Sequence, residues 1–282
     1  MGAAFLITLR EGVEAALIVA IVLAAVHRRG ARGLDRWVWA GVAVAVALSV
    51  AVGAALHLTI EDLTGDARLR TFAAICLAAA ALLTWMILWM RRHARALKRE
   101  LGERVEAALS ASALALAGVA FVAVVREGLE TALFLISTTS ADDGRSVLAG
   151  GLAGLVVACV LGYVVYGGGR RIPMRLFFQV TGALLILVAA GLCARAVQLL
   201  QAAGDVGTAN NAAYDLTRFD WLTESTQSGE FLAGILGWDP RPSVEQVAVY
   251  LLYLVPVLVA FFWDGRRPAP SGLSAGGQPA PR

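Results

Sequence analysis

Two short charged segments with the same spacing carry the chemistry of this 282-residue chain. They read R-E-G-V-E at 10–14 and R-E-G-L-E at 126–130, and each interrupts an apolar stretch. At about 100° per residue in a helix, the arginine and both glutamates of one segment share a face. Each arginine can pair with the glutamate four residues on, and the two glutamates can converge on one ion. The side chains placed in this way are Arg10, Glu11, Glu14, Arg126, Glu127 and Glu130.

A cation is the partner that this charge pattern predicts. Four glutamates against two arginines leave a net charge of −2, a surplus that a purely structural clamp between two helices would not need. Oxygen-only ligands favour a hard metal ion, and no His, Cys or Met accompanies the segments, which argues against copper(I) and structural zinc. Fe³⁺, Fe²⁺, Mn²⁺, Ca²⁺ and Mg²⁺ all remain open. We expect the arginines to hold the empty site shut, and Gly12 and Gly128, on the opposite face, to permit close helix packing.

The composition indicates that membrane helices position these charges. Hydrophobic residues make up 59% of the chain, charged residues only 16%, and the mean hydropathy is +0.71. This excludes a nucleic-acid-binding protein despite the net charge of +3. Apolar runs of about 20 residues without strand alternation predict an all-α integral membrane protein. The predicted spans are 4–26, 38–59, 71–90, 112–137, 147–166, 176–200 and 244–263.

The distribution of arginine and lysine predicts the orientation of these seven helices. The loops 27–37, 91–106 and 167–175, together with the tail after Trp263, carry 16 of the 24 basic residues. The alternate loops carry five basic residues and eleven carboxylates. By the positive-inside rule, the N-terminus is outside and the C-terminus inside. Glu61 and Asp62, beside His57, lie at the predicted outer end of the second helix, where they could pre-bind metal or simply be solvated.

An internal repeat defines the predicted domain organisation. Aligning 4–18 on 120–134 gives eight identities in fifteen positions, and the two segments fall on helices of opposite direction. This predicts a 3+3 inverted repeat, a transporter feature with the site at the repeat interface. The single membrane domain then covers 1–263, with a disordered cytoplasmic tail at 264–282. Its parts are repeats at about 4–90 and 112–200, an outer loop at 201–243 and a seventh helix at 244–263.

The paired motifs resemble those of the oxidase-dependent iron permeases, most closely the permease subunit of the bacterial elemental ferrous iron uptake system. Fungal high-affinity iron permeases are more distantly similar. Further likenesses are L-T-W-M-I-L-W-M-R-R at 83–92, A-A-G-L at 189–192 and P-S-V-E-Q-V-A-V-Y at 242–250. The resemblance implies a multi-pass iron permease of the bacterial cytoplasmic (inner) membrane. It implies that Glu11, Glu14, Glu127 and Glu130 bind iron in transit, with Arg10 and Arg126 completing the motifs.

The resemblance also implies partners and leaves alternatives open. A periplasmic iron-binding protein and a haem peroxidase or other oxidase are the implied partners. Iron, as Fe³⁺ or Fe²⁺, is the transported substrate, and no intrinsic cofactor is expected. The alternatives are a carboxylate-lined transporter of another divalent cation, of the Mn, Ca or Pb type, and an intramembrane metal-dependent enzyme. An enzyme is disfavoured because the chain has neither a G-x-S-x-G nor an H-E-x-x-H motif.

Overall fold

The structure, a computed structural model, is all-α as predicted. It describes residues 1–139, 144–166, 174–207, 212–219, 226, 229, 232–233 and 236–263. The long helices in these ranges are α1 (Gly2–Arg28), α2 (Asp35–Glu61), α3 (Gly65–Ala111), α4 (Ala113–Thr139), α5 (Gly144–Tyr166), α6 (Met174–Ala202) and α7 (Val244–Trp263). The predicted tail at 264–282 lies outside the described residues.

Five of these helices are long and apolar enough to cross a membrane, which makes this a multi-pass membrane protein. They are α2, the first part of α3 (Gly65–Met90), α5, α6 from Leu176, and α7. The other two, α1 and α4, have the length, but every 18-residue stretch of either helix contains at least three charged residues. The charged residues of the motifs are therefore the reason why α1 and α4 do not count among the apolar helices.

Helix α3 is longer than the sequence predicts. The sequence indicates a span at 71–90 followed by a cytoplasmic loop at 91–106, but the helix continues without interruption to Ala111. The expectation of a loop at 91–106 is wrong because charged residues end the apolar span without ending the helix. Residues 91–101 are rich in Arg, Ala, Leu, Lys and Glu, which are good helix formers outside the membrane as well.

The helices of the two halves, α1–α3 and α4–α6, pack in a pattern that stays the same when α1 is exchanged with α4, α2 with α5 and α3 with α6. Helix α1 packs on α5, and its counterpart α4 packs on α2. The third helices, α3 and α6, pack on each other, and α1 meets α4 between them. The largest apolar core joins α3 and α6, with α7 packed against α6.

Six close helix approaches at glycine are matched when α1–α3 are exchanged with α4–α6, whereas the approach of Gly154 to Thr8 is not, because the matched position on α2 is Ala45. A Cβ on any of six glycines would press against the neighbouring helix, and the six contacts form three matched pairs. In every pair, the matched residues of the α1 side and α4 differ by 116 in number, and the matched residues of α2 and α5 differ by 109. The pairs are Gly12–Ala158 with Gly128–Ser49, Gly150–Met1 with Gly41–Ala117, and Gly162–Ala16 with Gly53–Ala132.

Part of the 201–243 segment packs into the helices. Gly237, in a left-handed conformation at φ 62°, lies against Gly191 of α6, backbone to backbone. A side chain on either residue would block this approach, which explains why two glycines meet here. The segment reaches down α6 by eleven residues from the helix end at Ala202, about 16 Å.

Candidate metal site

Three glutamates from the two motif helices meet between α1 and α4. One carboxylate oxygen from each of Glu11, Glu14 and Glu127 lies within 4.8 Å of the other two. The three residues are 1%, 7% and 7% exposed, so the group is buried. Neighbouring residues on one helical face supply the α1 pair, and the contact of α4 with α1 supplies the third carboxylate. The sequence-predicted convergence of both motifs therefore corresponds to a real juxtaposition in space.

The α1 arginine is buried inside this group. Arg10 is 3% exposed, and its Nε lies 3.1 Å from Glu14 Oε1. Its Nη1 lies 3.9 Å from Glu11 Oε1, and its Nη2 donates to the thioether of Met90 at 3.5 Å. One guanidinium thus lies against both α1 carboxylates.

The α4 arginine has a different setting. The Arg126 side chain is 43% exposed, and its Nε donates to Glu130 Oε1 at 2.9 Å. Its guanidinium lies over the ring of Trp89, 5.9 Å from the centroid. Glu130 is therefore engaged by its own arginine and stands beside the three-carboxylate group, close enough to act electrostatically on Glu14. The sequence groups four glutamates, whereas the structure groups three and holds the fourth next to them.

All four of these carboxylates keep unused hydrogen-bonding capacity. Within the described part of the chain, no hydrogen-bond partner is found for buried oxygens of Glu11 (both oxygens), Glu14 (Oε1), Glu127 (Oε2) and Glu130 (Oε2). Burying a charged group is costly unless it is paired and hydrogen-bonded. Two arginines offset only half of four ionised carboxylates, so the arrangement is suited to accepting a cation.

The motif glycines face away from the carboxylates, toward the other half of the chain. A Cβ on Gly12 would come within 2.7 Å of Ala158 Cβ in α5. A Cβ on Gly128 would come within 2.7 Å of Ser49 Cβ in α2 and would also meet the Ser49 hydroxyl. Each motif therefore presents charge on one face and a close helix contact on the other.

The outer acids stay apart from this site. Glu61 pairs with His57 one turn earlier, Oε1 to Nε2 at 3.3 Å, and is 56% exposed. Asp62 is the exposed C-cap of α2. Ser49, which meets Gly128, is twelve residues before Glu61, about 18 Å along α2. The structure does not bring these two acids to the carboxylate group.

Two residues at the site were missed as site residues by reasoning from the sequence. Trp89 and Met90, adjacent on α3, contact the two motif arginines, one each. The segment 83–92 resembles the iron permeases, but nothing in its spacing assigns an arginine to either side chain. Only the crossing of α3 past α1 and α4 reveals the contacts.

Buried carboxylates shared between two helices of a multi-pass membrane protein are typical of a class, the ion transporters, rather than of a soluble metalloprotein. The chain belongs to the Iron permease FTR1 family, which matches residues 1–264. It is therefore a permease and not an enzyme, as the sequence predicts.

Individual relatives match almost the entire chain. The protein is 36% identical to the "Ferrous iron permease EfeU" of Yersinia pestis over 277 residues, 96% of each chain. It is 37% identical to proteins of the same name from Shigella sonnei and Escherichia coli O157:H7, over 96% of this chain and 99% of theirs. No solved structure matches it.

Proposed function

We propose that the protein moves iron ions across the membrane through the carboxylate group shared by α1 and α4. The observation that carries this proposal is the burial of Glu11, Glu14 and Glu127, with one carboxylate oxygen from each within 4.8 Å of the other two. Membership of an iron permease family supports iron as the ion carried. Relatives named as ferrous iron permeases add to that support. Glu130, held by Arg126, completes the site as the fourth ligand.

The arginines act as internal cations that the metal displaces. Arg10 lies against both α1 carboxylates, and Arg126 holds Glu130. An arriving iron ion replaces guanidinium charge with metal charge, so the buried glutamates are partly compensated before the ion arrives and more fully once it is bound. This lowers the cost of an empty site that would otherwise hold a large uncompensated negative charge.

An inverted repeat is the arrangement that we propose for the helices around this site. We propose seven spanning helices, with α1 and α4 included, arranged as a 3+3 inverted repeat plus α7, the N-terminus outside and the C-terminus inside. The three matched pairs of glycine contacts support the repeat, because exchanging its halves leaves them unchanged. The membrane is the bacterial cytoplasmic membrane. A periplasmic iron-binding protein and a haem peroxidase or other oxidase are the proposed partners.

Iron uptake into liposomes tests the proposal. The purified full-length protein is reconstituted, and uptake of radioactive iron is measured for wild type and for Glu127→Gln, with ferric citrate and ascorbate-reduced iron supplied separately. We expect saturable uptake by the wild type and its loss in Glu127→Gln. Glu106→Gln is the matched control, because Glu106 is exposed on α3 beyond the motifs.

Competition separates iron from other cations. Excess manganese or calcium should leave iron uptake by the wild type largely intact. Equal transport of manganese in place of iron would identify a carboxylate transporter of another divalent cation. Full iron uptake by Glu127→Gln would reduce the motif to a structural clamp between α1 and α4.

A further inference from the structure

A sulfur atom lies beside the buried carboxylates, although the two motifs contain none. Met90 is the last residue in the apolar part of α3, Gly65–Met90, and its sulfur accepts from Arg10 Nη2 at 3.5 Å. Because 80 positions separate these two residues in the chain, only the packing of α3 against α1 brings them together. The hard oxygen ligands of the motifs therefore have a soft atom as a neighbour.

The Arg10 guanidinium marks a place for positive charge within this group. Each of its nitrogens faces a different side chain: Nε lies 3.1 Å from Glu14 Oε1, Nη1 lies 3.9 Å from Glu11 Oε1, and Nη2 lies 3.5 Å from Met90 Sδ. One buried cation thus has two carboxylates and one thioether around it. An ion that replaces this charge meets the same three side chains.

The sulfur is on the side of the site that supplies most of the carboxylates. Met90 contacts the arginine of α1, and α1 carries two of the three glutamates that meet. On α4, the guanidinium of Arg126 lies over the ring of Trp89 instead. The thioether is therefore directed to the part of the site where we propose that the ion binds.

We propose that Met90 is a specificity-determining residue, and that its sulfur contacts the ion which replaces the Arg10 guanidinium charge. This contact favours ferrous iron over manganese and calcium. The inference rests on the proposed function, because it gives Met90 a part in how the carboxylate site selects its ion.

The side chain of Met90 is suited to following such a replacement. Methionine is unbranched and has three rotatable bonds, so its sulfur can adjust its position without rearrangement of the core. The side chain is half-buried and packs at the edge of the apolar core between α3 and α6. Its backbone belongs to the uninterrupted helix Gly65–Ala111. The movement that the proposal requires is therefore a rotation of the side chain.

The chemistry of a thioether accounts for the preference. Soft sulfur ligands select softer metals, whereas carboxylate, carbonyl and water suit magnesium, calcium and manganese. Ferrous iron also binds more tightly than manganese at a given set of nitrogen, oxygen and sulfur ligands. Methionine is a ligand of iron in cytochromes c, where it raises the reduction potential and so stabilises the ferrous state. One thioether beside the carboxylates therefore strengthens the binding of ferrous iron and adds nothing to the binding of calcium.

Competition between ions tests the preference. Uptake of ascorbate-reduced radioactive iron into liposomes is measured with rising manganese or calcium, for the wild type and for Met90→Leu, which nearly conserves volume. We expect Met90→Leu to transport iron but to be inhibited by manganese at a concentration roughly tenfold lower, the low end of the effect of a supporting group at a metal site. Unchanged inhibition by both ions would overturn the proposal. Weaker uptake with the wild-type ion preference would also overturn it, because Met90 would then only support Arg10.

Two further variants separate softness from packing. Met90→Gln brings a hard amide oxygen in place of the sulfur, so calcium should inhibit it more strongly than it inhibits Met90→Leu. Met86→Leu is the matched control, because Met86 lies one turn earlier on α3 and is 1% exposed in the apolar core. This control should keep the wild-type ion preference. A wild-type preference in Met90→Gln, or the same change in Met86→Leu as in Met90→Leu, would contradict the sulfur contact.

X-ray absorption at the iron edge detects the sulfur directly. Purified full-length protein is loaded with ferrous iron in the presence of ascorbate and the absence of air, and the nearest neighbours of the iron are determined. We expect oxygen and sulfur neighbours in the wild type and in Met86→Leu, and oxygen neighbours alone in Met90→Leu. Oxygen neighbours alone in the wild type would overturn the proposal whatever the transport result.

The same experiments distinguish this inference from the proposed function. If Glu127→Gln loses uptake while Met90→Leu keeps the wild-type ion preference, the carboxylate site stands and Met90 has no part in its selectivity. If Glu127→Gln transports normally while Met90→Leu loses the sulfur neighbour, the proposed route is wrong and Met90 is an iron ligand that does not serve transport.

Discussion

The two motifs have the same sequence pattern and different surroundings. On α1, Arg10 is 3% exposed and lies against both of its glutamates. On α4, the Arg126 side chain is 43% exposed and holds only Glu130, with Trp89 beneath it. Consequently α1 gives two carboxylates to the buried group, and α4 gives one.

The difference shows that a sequence repeat does not impose equal environments. The helix contacts behind the motifs are matched by exchange of the halves, at Gly12 and at Gly128 alike. The charged faces are not matched, because α3 passes both motifs and meets them with different side chains, Met90 and Trp89. The scaffold is therefore symmetric where helices pack and asymmetric where charge is held.

The largest expected effect is a difference in iron uptake between variants of two motif glutamates, Glu11 and Glu130. Both oxygens of Glu11 are buried and find no hydrogen-bond partner among the described residues, whereas Glu130 Oε1 already accepts from Arg126. Loss of a residue that only supports a metal ligand costs roughly 10–100-fold, so losing a ligand should cost more. We expect Glu11→Gln to reduce iron uptake by over about 100-fold, and Glu130→Gln by clearly less, in reconstituted liposomes. Equal losses would mean that all four glutamates contribute alike.

Replacing the two motif arginines one at a time should lower the stability of the protein by different amounts. Breaking a buried ion pair from one side costs about 3–5 kcal/mol, and an exposed pair contributes about 0–1 kcal/mol. Arg10→Gln should therefore lower the free energy of unfolding far more than Arg126→Gln, measured by SDS titration in mixed micelles. Iron binding should persist in both variants while uptake rates change. Similar destabilisation by the two changes would show that exposure of Arg126 does not weaken its pairing.

Substitutions at the two motif glycines should destabilise the protein by similar amounts, in contrast to substitutions at the two arginines. Gly12→Ala and Gly128→Ala each force a Cβ into the neighbouring helix, a form of overpacking that costs about 1–3 kcal/mol. Ala158→Gly should rescue the first and Ser49→Gly the second. Thermal unfolding of the single and double variants measures both cycles. If only one of the two second substitutions restored stability, the close packing at glycine would hold for that motif helix and not for the other.

The smallest expected effect concerns the α3 contacts of the two arginines. A double-mutant cycle between Arg126→Gln and Trp89→Leu should give a coupling of about 0.5–1 kcal/mol, as for a partly exposed cation–π pair. Trp89→Phe keeps a ring and should retain most of it. The cycle between Arg10→Gln and Met90→Leu should give less, because a thioether sulfur is a weak acceptor. The reverse order would reassign the stronger α3 contact to Arg10.

The helices and the motifs were predictable from the sequence because their signals are local. Apolar runs of about 20 residues predict the helices, and the structure places a helix at each of the seven runs. The end of α3 was not predictable in this way. Hydropathy detects where a helix leaves the apolar phase, whereas backbone hydrogen bonding carries α3 on to Ala111.

In the sequence, the repeat is visible only in the motif helices. The 116-residue offset is visible as identities between α1 and α4. The 109-residue offset between α2 and α5 leaves only isolated identities at the matched contacts, Gly41 with Gly150 and Gly53 with Gly162, and these are too few to reveal the offset without the structure. Ser49 and Ala158 occupy matched positions against the motif glycines, and small size is all that they share.

The sequence by itself determined which residues carry charge, that they share a helical face, and that the chain is a membrane protein. These follow from composition and from the 3.6-residue period of a helix. Only the tertiary structure decided that Glu11, Glu14 and Glu127 meet, that Glu130 stays with Arg126, and that α3 contacts both arginines. The physical reason is that a repeat fixes local chemistry, while burial and pairing depend on which helices pack together.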